Sequence, residues 1–354
     1  MGGAGPNVDI TINGEEISDG DFISYVVERD MFQPDMAAVT LSNQNDIYGG
    51  KFAIGQPLEI KVGDDKKRIY IGEVVGFEGA WKGGEPTKLT IRALNKMHRL
   101  LRKRKSITYA EKSDQAILNE VVKDGGLTLD WKHATSITYK HVYQHNQTDL
   151  EFVRTRAARL GCHVWCVDTK LMVKEPDFGA TSGVVLSVDS KGQLRSFFPR
   201  INSSAVVKKV TVRGWNPETK ELITGDCSDV ASQLAKEDAV AASGDLGKEE
   251  TFTVDHPIWS AEEAKAIAKA RLRELNLTYI TGEAEIVGNP ELDIGKTVFV
   301  YADQNNDNEP FNGDYYIMGL THRHTLPKGQ AGGFVTILKL ARDGQKQKRK
   351  PEST

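Results

Sequence analysis

Ile54-Gly55-Gln56-Pro57-Leu58-Glu59-Ile60-Lys61-Val62 is followed by Gly72-Glu73-Val74-Val75-Gly76-Phe77 and then by Leu89-Thr90-Ile91-Arg92-Ala93-Leu94. The same order returns near the other end of the chain, in Ile294-Gly295-Lys296-Thr297-Val298-Phe299-Val300-Tyr301, Gly313-Asp314-Tyr315-Tyr316-Ile317-Met318-Gly319-Leu320 and Val335-Thr336-Ile337-Leu338-Lys339-Leu340. Each copy reads as an Ile-Gly turn, an alternating strand, a polar loop, a Gly-bounded strand, a second loop and a strand containing Thr-Ile. The two-residue period is that of half-buried strands. One small β-unit used twice therefore decides the fold. Gly-bounded alternating strands are common to all β-meanders, so the repeat needs support from the rest of the chain.

At 354 residues the chain has room for two or three domains of ~100–200 residues each. Its 39% hydrophobic and 27% charged residues fit a globular chain, and a net charge of −3 gives no global field for nucleic acid or an anionic membrane. No apolar run approaches the ~18 residues of a spanning helix, and Met1 to Pro6 lacks the order of a signal peptide, so cytoplasmic assembly is expected. Cys162, Cys166 and Cys227 cannot form a disulfide framework. The Cys162–Cys166 spacing lacks a second ligand pair for zinc, and buried structural thiols are the expectation.

Outward from the first copy, Val8, Ile10 and Ile12 share a strand face before the Asn13-Gly14 hairpin signal, and Phe22–Val27 and Ala37–Leu41 read as further strands. About six short strands in ~90 residues predict a small barrel or sandwich. Residues 92 to 105 turn basic without interleaved aromatics; a solvated or interface-facing linker is expected, its cations available to acidic neighbours. Ser113 opens a helix that stops at Gly125-Gly126. Thr148 with Glu151 forms a capping box for a second helix, whose Leu150, Val153, Ala157 and Leu160 share a face before Gly161. Val206 to Trp215 reads as a strand turning at Asn216-Pro217, and residues 217 to 250 as a long loop with a weak helical stretch near Val230–Val240. Ser260 and Glu263 open another capped helix. The predicted division is a first β-barrel over 7–100, an α+β insert over 101–180, a strand completing the barrel region plus the loop over 181–250, a helix and second barrel over 251–342, and a disordered basic tail over 343–354.

The chemistry-bearing residues give no site. His141 and His145 stand in an alternating segment, so they lack the shared face of a helical His pair, and no Glu follows His141. His322 and His324 share a strand face. Asp303 to Asp307 resembles the start of a calcium loop, but Asn308 stands where that loop needs Gly and Asp314 where it needs Glu. There is no Gly-rich phosphate loop or Gly-x-Ser-x-Gly elbow. Glu283 and Glu285 fit a solvent-facing row. No catalytic residue, cofactor or metal is expected. The alternatives are a carboxylate-based hydrolase or carbohydrate-acting two-barrel enzyme using Glu283, Glu285 or Asp303, and a nucleic-acid binder using residues 94–105.

The stretch Tyr143-Gln144-His145-Asn146-Gln147-Thr148-Asp149-Leu150-Glu151-Phe152-Val153-Arg154-Thr155-Arg156-Ala157-Ala158-Arg159-Leu160-Gly161, with Gln, then Asp, then Phe followed by Arg and Ala, ending in Leu-Gly before an aromatic strand, resembles the phage late control protein D family of contractile-tail baseplate hubs, and is similar to the N-terminal part of VgrG spike proteins. The stretch Val210 to Pro217, with Gly214 and Trp215, and the sequence Gly288-Asn289-Pro290-x-Leu292-x-x-Gly295 leading to Gly313, Tyr315 and Thr336, fit the same family in the same order. The resemblance covers roughly residues 7 to 342.

The resemblance implies a mainly β, α+β chain whose two related small β-barrels, with the α+β insert, form a homotrimeric pseudo-sixfold ring. Such a ring is a structural baseplate hub, not an enzyme, joining a sixfold tail tube to a threefold spike. Implied partners are the tube protein, a separate spike protein and baseplate wedge proteins; no membrane contact and no direct nucleic-acid binding are expected. The implied setting is a phage tail, a virion, or an extracellular or cell-anchored injection particle. Candidate family-motif and partner-contact positions are Asp149, Phe152, Arg154, Arg156, Arg159, Gly214, Trp215, Asn289, Pro290 and Gly295. Among these, Arg154, Arg156 and Arg159 are expected to be freest to meet partners. A trimer with two like units per chain presents six like surfaces, which gives the repeat a physical purpose.

Overall fold

The computed structural model describes residues 6–134, 137–188, 193–254, 257–328 and 331–351. The chain is mainly β with a few helices. The first unit contains β1 (Val8–Ile12), β2 (Phe22–Asp30), β3 (Met36–Ser42), β4 (Pro57–Val62), β5 (Lys67–Ala80) and β6 (Lys88–Leu94). All neighbours are antiparallel, in the order β1-β4-β5-β6-β3-β2. The cause is visible in the sequence: Met36–Ser42 alternates between buried and half-buried positions, placing Ala37, Val39 and Leu41 in the core and Thr40 outside.

The insert contains β7 (Arg104–Ser113), α1 (Asp114–Lys123), β8 (Thr128–Lys132), β9 (Thr138–Thr148), α2 (Asp149–Arg159), β10 (His163–Val167) and β11 (Lys170–Lys174). Thr148 Oγ1 accepts from the Glu151 N–H, and Glu151 Oε2 accepts from the Thr148 N–H at 2.8 Å, so the predicted capping box is present. Cys162 and Cys166 are free and buried in this core.

The second unit begins earlier than its sequence repeat: β12 (Thr181–Ser187) and β13 (Leu194–Ile201) precede a long excursion. That excursion holds β14 (Lys209–Asn216), β15 (Glu221–Cys227), β16 (Ala235–Asp238), β17 (Glu250–Val254) and α3 (Ala261–Leu277). The unit resumes with β18 (Ile280–Val287), β19 (Thr297–Tyr301), β20 (Gly313–Lys328) and β21 (Ala331–Arg342), before β22 (Gly344–Gln347). Its strand order is β12-β19-β20-β21-β18-β13, the order of the first unit position for position.

The match extends to single backbone bonds. The Gly55 N–H donates to Val74 and the Val74 N–H to Gln56; the Gly295 N–H donates to Ile317 and the Ile317 N–H to Lys296. Gly55 and Gly295 both sit at positive φ, 90° and 79°, which the turn into β4 or β19 requires. A register shift falls between Val74 and Gly76 in one copy and between Ile317 and Gly319 in the other; another falls between Phe22 and Ser24, and between Leu194 and Ser196. One difference stands out: β1 runs antiparallel to β4, whereas β12 runs parallel to β19.

Several expectations are corrected. Val210 to Trp215 does not complete a barrel sheet; β14 pairs with β15 and β17 in a separate sheet whose inner face, Val210 and Val212, packs on Ala264, Ile267, Ala268 and Leu272 of α3. The region expected as a loop over 217–250 carries β15 and β16, and its helical turns stand at Ala239–Ala242, overlapping the end of the Val230–Val240 stretch, and at Leu246–Lys248. Tail residues Gly344–Gln347 pair with β16, while Arg349 and Lys350 meet Asp314 and Asp307; residues 352–354 lie outside the described residues.

Candidate assembly interface

The two units are joined by a strand pair. β20 gives its first residues to β19, through Tyr316↔Thr297, and its later ones to β2, from Gly319↔Asp30 to Thr325↔Ser24, antiparallel. The result, among the described residues, is one sheet running through the twelve strands of both units, with the short strand Glu15–Glu16 added beside β1. Tyr25 and Val27 of β2 and Leu320, His322 and His324 of β20 are buried at the seam, with Phe334 of β21 inserted into the first unit's core. Asp35, His322 and His324 are buried here too. His322 Nδ1 lies 2.9 Å from Thr336 Oγ1, and burial, with Arg29 nearby, pushes His322 down to about 3. His324 packs against Phe22, Tyr25 and Phe334. Ion pairs close the rim: Arg29 to Asp35 (3.1 Å) and Asp293 (2.6 Å), Lys339 to Asp30 (2.6 Å) and Lys67 to Glu291 (2.8 Å).

The motif residues of the insert are structural supports. Asp149 is buried; its Oδ2 takes Lys105 Nζ at 2.7 Å and its Oδ1 takes Gln144 Nε2 at 3.1 Å. Phe152 stacks on Tyr109. Arg156, expected to be free, is buried: its Nε donates to Asp114 Oδ1 at 2.5 Å and its guanidinium lies 4.6 Å from the Tyr139 ring centre. Arg159 is also engaged, with Glu263 at 2.6 Å, tying α2 to α3. Of the three arginines only Arg154 is exposed. Their opposite charges stand far along the chain, so helix position alone could not reveal these pairs.

Much of the basic run is likewise paired within the chain. Arg92 meets Glu78, Arg99 meets Glu73, Arg104 meets Glu151 and Lys105 meets Asp124 and Asp149. These cations neutralise neighbouring carboxylates instead of forming a bare stripe.

Gly214 sits under Ile258, where a Cβ would stand 2.4 Å from its side chain. Trp215 points to the other face of the β14 sheet and is half exposed. Asn216 Oδ1 accepts from the Glu218 N–H at 2.9 Å, forming the turn at Pro217. The Asn289 N–H donates to Thr336 Oγ1 and Asn289 Oδ1 accepts from the Glu291 N–H, so Asn289, Pro290 and Gly295 shape the entry to β19. Glu283 is exposed and Glu285 faces Arg195. Among the described residues no cluster of His, Cys, Asp and Glu could hold a metal, and no helix is long and apolar enough to cross a membrane.

This architecture is that of phage tail proteins. The chain is similar in structure to the prophage MuSo2 43 kDa tail protein from Shewanella oneidensis, with a TM-score of 0.71 at 14% identity, over 96% of this chain and 98% of that one. It is equally similar to a tail protein from Neisseria meningitidis MC58, with a TM-score of 0.70 at 14% identity, over 96% and 98% of the two chains. The E. coli c3393 protein, described as a type VI secretion component with similarity to the T4 tail proteins gp27 and gp5, gives 0.62 at 12% identity over 97% and 79%. At these identities the likeness is one of fold, and it bears out the family resemblance read from the motifs at that level. Residues 8–325 match the family model of the Alg8 N-terminal domain, and the chain belongs to that family. No curated protein matches it.

Proposed function

We propose that this chain is a structural baseplate hub of a contractile injection system or phage tail. Three copies form a ring whose six related units match a sixfold tube on one side and a threefold spike on the other. The carrying observation is the duplication itself: two units with the same strand order and equivalent register shifts, joined through one seam. Duplicated units within a chain double the symmetry of the ring it builds.

Under this reading residues 8–94 form one barrel, and residues 181–201 with 280–342 form its partner. The insert and the β14–α3 layer occupy the periphery, where wedge components dock, and assembly takes place in the cytoplasm before incorporation in a tail or injection particle. The role is structural: Asp149, Phe152, Arg156, Gly214 and Asn289 hold the fold together, and His322, His324 and Asp35 are packed into it. Native mass spectrometry of the purified protein, alone and with its tube protein, tests the reading. A trimer is expected; a chain that remains monomeric in both conditions refutes it.

A further inference from the structure

The seam between the units leaves a matching pair of open edges, one on the later half of β5 and one on the terminal strand β13. The bonds shared by Val74 and Ile317 make Gly76, Phe77, Glu78, Gly79, Ala80 and Trp81 the counterparts of Gly319 through His324. In the second unit that edge pairs with β2. In the first, β4 covers β5 only as far as Glu73, and no described strand continues along that side. Likewise β13 is the counterpart of β2: β2 lies between β3 and β20, whereas β13 pairs with β18 and ends the sheet.

Burial separates the sealed positions from the open ones. Leu320 and His324 are 2% and 3% exposed, while their counterparts Phe77 and Trp81 are 37% and 74% exposed. On β13, Phe198 and Ile201 are 67% and 41% exposed. Large apolar side chains at both open edges of one sheet mark surfaces that another chain covers.

We infer that β5 of one protomer pairs antiparallel with β13 of a second copy of this chain, in the register of the internal seam. This rests on the hub reading and names its protomer contact. Transferring the internal pairs Leu320↔Arg29, Thr321↔Glu28 and His322↔Val27 puts Phe77 opposite Ile201, Glu78 opposite Arg200 and Gly79 opposite Pro199. Apolar meets apolar, and the Arg200 guanidinium meets the Glu78 carboxylate, which Arg92 also contacts. The contact is head-to-tail, because the two edges belong to different units, and it therefore propagates until a ring closes.

Pro199 modifies the pairing. The Met31 N–H donates to Met318, so by the two-residue alternation Val27 also directs its N–H toward β20. Pro199, at the equivalent place, has no N–H to offer. The intermolecular ladder therefore lacks one bond that the internal seam has, and a proline on an open edge discourages pairing with unrelated strands before assembly.

Disulfide trapping between full-length chains tests the register. Glu78 and Arg200 fall at a non-hydrogen-bonded pair, with Cα atoms ~4.5 Å apart, inside the 4.4–6.8 Å span of a disulfide. Chains carrying Glu78→Cys are mixed with chains carrying Arg200→Cys and oxidised, with a Glu78→Cys and Phe198→Cys mixture as the slipped control. The expected result is a covalent dimer from the first mixture and little or none from the second, whose diagonal spacing is ~7–8 Å. Native mass spectrometry is run on the same proteins. Trimers that link in neither mixture, or better in the slipped one, overturn the edge pairing and leave the hub reading intact. Failure to associate under any condition, with or without tube protein, overturns both.

Discussion

Acidification should loosen this fold through its buried histidines, by an amount the structure allows to be worked out. Burial pushes His163, whose Nδ1 lies 3.2 Å from the Tyr316 hydroxyl, down to about 4. His322, at the seam, is pushed to about 3. A histidine whose folded pKa is depressed binds more protons in the unfolded chain, so its stabilising contribution is complete above ~6.5 and is lost as pH falls toward the folded value. Between pH 7 and 4.5 each loses about 2–3 kcal/mol, taking 1.36 kcal/mol per unit. Asp35 opposes them: burial raises its carboxyl to about 6, against the lowering pull of Arg29, so the folded state gains protons there as pH falls, returning about 2 kcal/mol. The net loss is about 3 kcal/mol, large against a typical stability of ~5–15 kcal/mol. Urea melts at pH 7 and 4.5, read by tryptophan fluorescence, measure it. Burial lowers His324 as well, so His322→Asn should remove only the His322 share of the histidine contribution and flatten the pH dependence by that amount. If wild type and His322→Asn lose the same stability over this interval, His322 is not held neutral by the seam and the reasoning fails.

The buried pair in the insert gives a second test. Asp114→Asn leaves the Arg156 charge in the core and should cost ~3–5 kcal/mol, seen as faster hydrogen exchange across α1 and α2, whereas Asp114→Leu with Arg156→Met should come near neutral. Gly214→Val should drive Ile258 out of place and separate the β14 sheet from α3, lowering stability by ~1–3 kcal/mol with exchange changes confined to that layer; unchanged exchange there would contradict the packing. Thr148→Ala should cost ~1 kcal/mol of α2 stability by removing the N-cap, measured in the same exchange experiment.

Local signals were readable from the chain. The Thr148 to Glu151 box, the Ile-Gly turns and the alternating strands all act over a few residues, and each appears where its pattern stands. The repeat was legible only in its last three strands, because β12 and β13 are cut from β18 by the excursion and carry no common spacing. What completes the match, the pairing of β13 with β18 and of β12 with β19, is a long-range contact that no local period announces. The same limit hid the ionic partners of Arg156 and Arg159 and the pairing of Gly344–Gln347 with β16. The apolar side chains at the open edges were visible as residues but not as edges. Phe77 and Trp81 look like ordinary strand residues until Leu320 and His324 show what the same positions become when covered.

Electron cryo-microscopy of the full-length protein bound to its tube tests the central claim most directly. Three chains should build a closed ring in which the 8–94 unit and the 181–342 unit alternate, neighbouring units related by about 60°. A ring in which the two units lie at different radii, or an assembly with no threefold axis, would contradict it.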